Sequence, residues 1–187
     1  MPTPDRTSVE EIVQAGRDIL ESAGLEGLTM QAVAERVRVR PPSLYKRVRN
    51  REDLIGLIVE ATAHDLGAAL TAVEAAGDAG TELTAMAHAF RAFAHRRPAA
   101  FALIFARRAD PARPPIEKLA ELAAPLLRAT AKLAGDEHAL PAARTFTAWA
   151  YGFVTMELAG AFNLGGDVDE AFEFGVASLT RTATQLS

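Results

Sequence analysis

The sequence predicts an all-α protein of about nine helices. Three observations carry this. Alanine is abundant and runs of β-branched residues are short. No alternation of apolar and polar residues persists long enough to read as a half-buried strand. Turn formers recur at helical intervals, at Gly24, Gly27, Gly77–Gly80, Pro98, Pro111–Pro115, Gly135, Gly165 and Gly166.

The first helix begins at Ser8-Val9-Glu10-Glu11, a capping box. The Ser8 hydroxyl can accept from the Glu11 backbone N–H, and the Glu11 carboxylate can reach back. Val9, Ile12, Val13, Ala15, Gly16, Ile19, Leu20 and Ala23 then form an apolar stripe with helical spacing. Gly24 ends it with left-handed freedom. Thr29 caps a second helix from Met30 to about Val37, buried through Val33, Ala34 and Val37. Pro41 and Pro42 suit a first helical turn, where missing N–H groups matter little. The third helix then carries Ser43, Leu44, Tyr45, Lys46, Arg47 and Val48. Asn50 caps a fourth, with Asp53 three residues on, and Leu54, Ile55, Leu57, Ile58 and Ala61 continue it toward the alanine-rich stretch 66–76. Two short helices joined by a tight turn after a longer helix have the outline of a helix-turn-helix.

The chain has 187 residues and 49% hydrophobic side chains, enough to bury a core. Cysteine is absent, which excludes disulfides, a thiolate nucleophile and thiolate metal sites. The formal net charge is −4, which excludes a uniformly basic coat but not a local basic patch. The N-terminal Met1-Pro-Thr-Pro-Asp-Arg lacks the pattern of a signal peptide, so a cytoplasmic location is expected. From Thr145 to Gly166 the only charge is Glu157. That stretch is long enough to cross a bilayer. Its threonines, glycines, Asn163 and central charge instead predict a buried helix, and no membrane partner is expected.

Between Arg36 and Arg51 lie seven basic residues (Arg36, Arg38, Arg40, Lys46, Arg47, Arg49 and Arg51) and no acidic one. Residues 1–55 as a whole carry nine basic and nine acidic side chains. The signal is therefore segregation, not total charge. A positive surface over the second and third helices is what a phosphate backbone attracts. Tyr45 lies inside the patch, with a hydroxyl able to donate to a phosphate oxygen.

Leu28-Thr29, Ala32-Val33-Ala34 and the run from Val39 through Ser43-Leu44-Tyr45 to Leu54 resemble the DNA-binding domain of the TetR family of transcriptional regulators. The match is clear over about residues 8–60. The resemblance implies a helix-turn-helix DNA-binding domain at 1–54 and a helical effector-binding and dimerisation domain at 55–187. It implies that Thr29 contacts phosphate and that Gln31 reaches a base edge. Pro41, Pro42 and Ser43 fall at the exposed start of the recognition helix, where the major groove is read. Tyr45, Lys46, Arg47 and Arg51 resemble contacts that position the backbone, while Leu44 and Val48 read as core. Two positions depart from the family pattern. Arg38 stands where Gly is usual, which implies backbone strain or an altered turn. Arg40 replaces a small polar cap and is a further candidate DNA contact.

In the second domain, Pro98 opens a helix after His95-Arg96-Arg97, followed by Phe101, Leu103, Ile104 and Phe105. Ala148-Trp149-Ala150-Tyr151-Gly152-Phe153 and its continuation to Phe162 resemble the WHG-type C-terminal domain of many TetR-like regulators, with Tyr151 where a His often precedes the Gly. Asp167 caps the last helix, whose Phe172, Val176, Leu179, Ala183 and Leu186 form a narrow seam suited to another helix. The resemblance implies that the last two helices pair with a second copy, making a homodimer on double-stranded operator DNA. It also implies a pocket for a small-molecule effector among the central helices. Phe90, Phe101, Phe105, Trp149 and Phe153 are its candidate apolar lining, with Glu157 as polar anchor.

Nothing in the sequence reads as an enzyme. His88 and His95 could share a helix face but lack a third convergent ligand, so no metal site and no cofactor are expected. No phosphate loop, nucleophile elbow or usefully spaced carboxylate pair is present. The expected function is a repressor released from a palindromic operator by a small apolar effector. The alternatives are a constitutive DNA-binding protein without an effector and a small helical metal-dependent enzyme.

Overall fold

The computed structural model describes residues 7–73, 78–106 and 116–186. The expected N-terminal tail Met1–Arg6 and the breaks at Gly77 and Pro111–Pro115 lie outside the described residues. Within them the structure has nine helices and no strand. They are α1 (Val9–Gly27), α2 (Met30–Arg36), α3 (Pro41–Leu44), α4 (Arg51–Thr71), α5 (Ala79–Arg96), α6 (Pro98–Phe105), α7 (Ile116–Ala134), α8 (Asp136–Leu158) and α9 (Val168–Thr184).

The caps follow the sequence closely. Glu11 N donates to Ser8 Oγ at 3.1 Å, and Ser8 N donates to Glu11 Oε2 at 3.0 Å, closing the capping box. Gly24 takes φ 67° and kinks α1, leaving one more turn before Leu28. Thr29 Oγ1 accepts from Ala32 N, and Asn50 Oδ1 accepts from Asp53 N. Asp167 Oδ1 accepts from Asp169 N at 2.7 Å at the start of α9.

The chain forms two compact units. The first comprises residues 1–64 and 97–118, the second 65–96 and 119–187. The sequence places the division after residue 54. By contacts it falls inside α4, and α6 belongs with the N-terminal helices. The physical reason is that α6 shares the first core. Ala100 and Leu103 pack with Ile12, Ile19, Leu28, Val33, Leu44 and Ile58. The N-terminus of α6 is capped by α1: Ala99 N and Ala100 N donate to the Glu21 carboxylate at 3.0 and 2.9 Å. Gly16 lies against Ile58 of α4: a Cβ there would stand 2.8 Å from Ile58 Cδ1, which would have to shift to make room.

In the second unit α5, α8 and α9 pack on one another. Ala87, Phe172 and Val176 are buried together with Trp149 and Phe153 against them. This corrects the expected use of the α9 seam: Phe172, Val176 and Ala183 are buried within the chain, because α9 meets α5 and α8 along that stripe. Of the seam, Leu186 is left exposed, as are Met156, Leu158, Phe162, Leu164 and Phe174 outside it. The stretch 145–166 is not one continuous helix, as α8 ends at Leu158. Among the described residues α4 is long and apolar enough to span a membrane by composition, but its Leu54, Ile55, Ile58, Val59, Leu66 and Leu70 are buried in the protein.

Candidate nucleic-acid interface

The turn between α2 and α3 is made by Val37–Arg40. Arg38 has φ 59°, the one positive φ at a non-glycine among the described residues. The strain anticipated at this position is therefore present, at about 1–2 kcal/mol for an L residue. The turn is closed by Arg38 N to Glu35 O at 3.2 Å and Val39 N to Ala34 O at 3.0 Å. Arg40 precedes α3 without a side-chain cap. Its side chain is therefore not engaged in holding the helix start.

The third helix is shorter than the sequence predicts. It ends at Leu44, and Tyr45–Arg47 form a turn held by Arg47 N and Val48 N on the Leu44 carbonyl. Leu44 and Val48 are fully buried and anchor the segment in the first core. Tyr45 is 52% exposed, and Pro42, Lys46 and Arg47 are exposed with it. Pro41 and Ser43 are half-buried.

The basic window divides into committed and uncommitted cations. Arg36 pairs with Asp18 at 3.6 Å. Arg49 donates to Asp53 through Nη2 at 2.8 Å and through its backbone N at 2.9 Å, and these bonds hold the Asp53 carboxyl below its ordinary value. Arg51 donates to the carbonyls of Leu28 and Leu25. Arg38, Arg40 and Lys46 have no acidic partner among the described residues and stand in exposed or turn positions. They line an open groove of about 1250 Å³ whose other wall, on α1, carries Glu11, Gln14 and Asp18.

On α2, Thr29 uses its hydroxyl oxygen as the cap acceptor, which leaves its O–H able to donate outward. Gln31 is exposed, and its Nε2 donates to Glu35 Oε1 at 2.7 Å. Sequence reasoning missed this pair, although the spacing of four on one helix face is its signal. It also missed the ion pair of Asp18 with Arg36, which joins residues of different helices and leaves no local pattern.

The candidate effector residues fall in both units. Phe101 and Phe105 belong to the first, with ring centroids 5.4 Å apart. Phe90, Trp149, Phe153 and Glu157 belong to the second. Trp149 and Phe153 pack on Phe172, each with centroids at 5.3 Å. Glu157 accepts from Arg91 Nε at 2.9 Å and from Arg91 Nη2, and it lies 3.1 Å from His95 Nε2. Arg91 also reaches Asp169 at 2.6 Å and stacks over Phe172. Arg91 thus ties α5 to both α8 and α9, and its hydrogen bonds lower the Glu157 pKa. His88 lies 3.0 Å from Glu173. Among the described residues no group of three or more His, Asp or Glu side chains is arranged to hold a metal.

Comparison with known proteins places both halves of the chain. Residues 12–58 match the family described as bacterial regulatory proteins, tetR family, and residues 83–179 match the tetracyclin repressor-like C-terminal domain. An uncharacterized HTH-type transcriptional regulator of Mycobacterium tuberculosis is 30% identical over 170 residues, covering 89% of this chain and 76% of that protein. The tetracycline repressor protein class E of Escherichia coli is 36% identical over 56 residues, 30% of this chain and 26% of that protein. Among solved structures, a single-residue variant of TetR from Acinetobacter baumannii in complex with minocycline superimposes with a TM-score of 0.73 at 22% identity, covering 97% of this chain and 98% of that one. The regulatory protein SCO4313 superimposes with a TM-score of 0.76 at 27% identity, covering 91% and 94%.

Proposed function

Since the chain belongs to the TetR family of bacterial transcriptional regulators, we propose that it represses transcription as a homodimer on a palindromic operator and is released by a small, largely apolar effector. The observation that carries the DNA-binding surface is the set of cations Arg38, Arg40 and Lys46, without acidic partners among the described residues, around the exposed Pro42 and Tyr45. Phosphate contacts from Thr29, Tyr45, Lys46 and Arg47 fix the position on the duplex. Gln31, Arg40, Pro41, Pro42 and Ser43 face base edges, the prolines through apolar contact with thymine methyls.

The exposed Met156, Leu158, Phe162, Leu164 and Phe174 support a second copy at the α8–α9 end, since a monomer seldom exposes so many large apolar side chains together. Two copies place two recognition segments on half-sites about one helical turn apart or a multiple of it. The effector site is placed in the second unit, with Phe90, Trp149, Phe153 and Glu157 as its candidate residues, and the protein in the cytoplasm, where its operator is.

A second reading, constitutive binding without an effector, draws on the packing of Trp149 and Phe153 on Phe172 and on the engagement of Glu157 by Arg91. A screen of the intergenic DNA flanking the protein's own gene, repeated with candidate effectors, separates the two. The repressor reading expects a bound fragment that is released by at least one compound, with a change in Trp149 fluorescence. Binding that no compound alters favours the constitutive reading, and no bound DNA at all overturns both.

A further inference from the structure

Arg51 lies at the end of the basic window, where the family resemblance implies a phosphate contact. The structure gives its guanidinium another task. Nε donates to the Leu28 carbonyl at 2.7 Å, and Nη2 donates to the Leu25 carbonyl. These acceptors lie 23 and 26 residues away in sequence. Nη1 stands 3.5 Å from the Glu52 carboxylate, and the side chain is only 37% exposed.

The two carbonyls belong to the short turn after the Gly24 kink, directly before Thr29. The Leu28–Thr29 peptide is held on both sides, because Thr29 N donates to the Gly27 carbonyl at 2.9 Å while Leu28 O accepts from Arg51. Leu28 is fully buried, so its carbonyl sits on a fixed side chain. Thr29 and Gln31 follow within one turn of α2. A planar guanidinium can bridge two carbonyls in this way, whereas a lysine ammonium is a point charge without the fork.

We propose that Arg51 is a positioning residue and not a phosphate contact: it ties the start of α4 to the α1–α2 connection and so sets the position from which Gln31 reads a base. This rests on the DNA-binding reading above. It also separates this chain's footprint from the one the resemblance implies, by removing one cation from the phosphate contacts.

The test compares full-length wild type, Arg51→Ala, Arg51→Lys and Lys46→Ala. Binding is measured from low to moderate salt on a random-sequence duplex. Base preference is profiled by selection from a randomised duplex pool, with Gln31→Ala as reference. Arg51→Ala should keep the wild-type salt slope, whereas Lys46→Ala should flatten it by about one unit. The preference profile of Arg51→Ala should broaden at the base pair where Gln31→Ala broadens it. Arg51→Lys should resemble Arg51→Ala. A flattening of about one unit for Arg51→Ala with an unchanged profile overturns the proposal, as does a lysine variant that binds and selects like wild type. Should Arg51→Ala fail to fold, the lysine variant decides alone by the same two measurements. If no variant, wild type included, binds duplex DNA, the DNA-binding reading has failed, and that outcome is distinct from either result for Arg51.

Discussion

The indole of Trp149 on α8 lies directly against Gly175 on α9. A Cβ at Gly175 would stand 2.2 Å from Trp149 Cζ2 and 2.7 Å from Cε2. No real pair of atoms tolerates that approach, so the indole holds this position only because residue 175 has no side chain. Gly175→Ala should therefore destabilise the protein by about 1–3 kcal/mol, the usual range for overpacking. Thermal unfolding should show a lower midpoint, and the Trp149 emission should shift as the ring is displaced. The double variant Trp149→Ala, Gly175→Ala should lose less than the sum of the single losses, because the new methyl then enters the space left by the indole. Additive losses would mean that the two residues do not share this contact.

Arg38 gives the second prediction. Its φ of 59° is left-handed, where glycine has no Cβ penalty. Arg38→Gly should relieve about 1 kcal/mol of strain, offset in part by the larger backbone entropy glycine brings to the unfolded chain. A net rise in urea midpoint is expected, accompanied by weaker DNA binding if the guanidinium lies on phosphate. A variant less stable than wild type would show that the Arg38 side chain stabilises the turn by more than the strain it imposes.

Much of this architecture was legible in the sequence because its signals are local. The Ser8–Glu11 box, Thr29, Asn50 and Asp167 announced helix starts, and Leu44 and Val48 announced the buried side of the recognition segment. Signals between distant residues were not legible. Nothing at position 51 reveals that its guanidinium will meet the Leu25 and Leu28 carbonyls, and a basic residue in a basic window reads as a phosphate contact. The α9 seam was visible as a stripe, but periodicity says only that a helix covers it, not whose helix. The carboxylate of Glu157 was singled out because it is the only charge between Thr145 and Gly166. Its partner Arg91 comes from α5, and only the fold brings the two together.

That pair yields a pH prediction. The hydrogen bonds from Arg91 hold the Glu157 carboxyl below its ordinary value in the folded state. A depressed folded pKa contributes stability above the unfolded value, about 4.3 for a glutamate, and this contribution is lost as pH falls through the folded value. Glu157→Gln should then be less stable than wild type at neutral pH, by about 1–3 kcal/mol for hydrogen bonds to a charged partner. The difference should shrink as pH falls below the ordinary carboxylate range. Urea unfolding of both proteins from neutral to acid pH gives the difference curve directly. The Asp53 carboxyl is lowered by Arg49 in both proteins and cancels in the subtraction. A difference that stays constant with pH would leave the ion pair without a role in acid stability.

The last prediction separates holding DNA from reading it. Lys46 is exposed, lies on the turn that follows α3 and has no acidic partner among the described residues. Gln31 is exposed on α2, with its amide oriented by Glu35. A cation on phosphate carries no base information. Lys46→Ala should therefore weaken binding to all duplexes alike and flatten the salt dependence by about one unit. Tyr45→Phe should also act uniformly on sequence, but without the change in slope, since it removes a hydroxyl and no charge. Gln31→Ala should leave the salt slope intact and cost about 1–3 kcal/mol at one base pair of each half-site. Glu35→Ala should act at that same base pair and more weakly, because it frees the amide without removing it. Profiles over a randomised duplex pool, together with titrations at several salt concentrations, distinguish these effects. Gln31 and Lys46 variants that shift both measurements in the same way would show that contact to the backbone and contact to the bases are not divided between these residues.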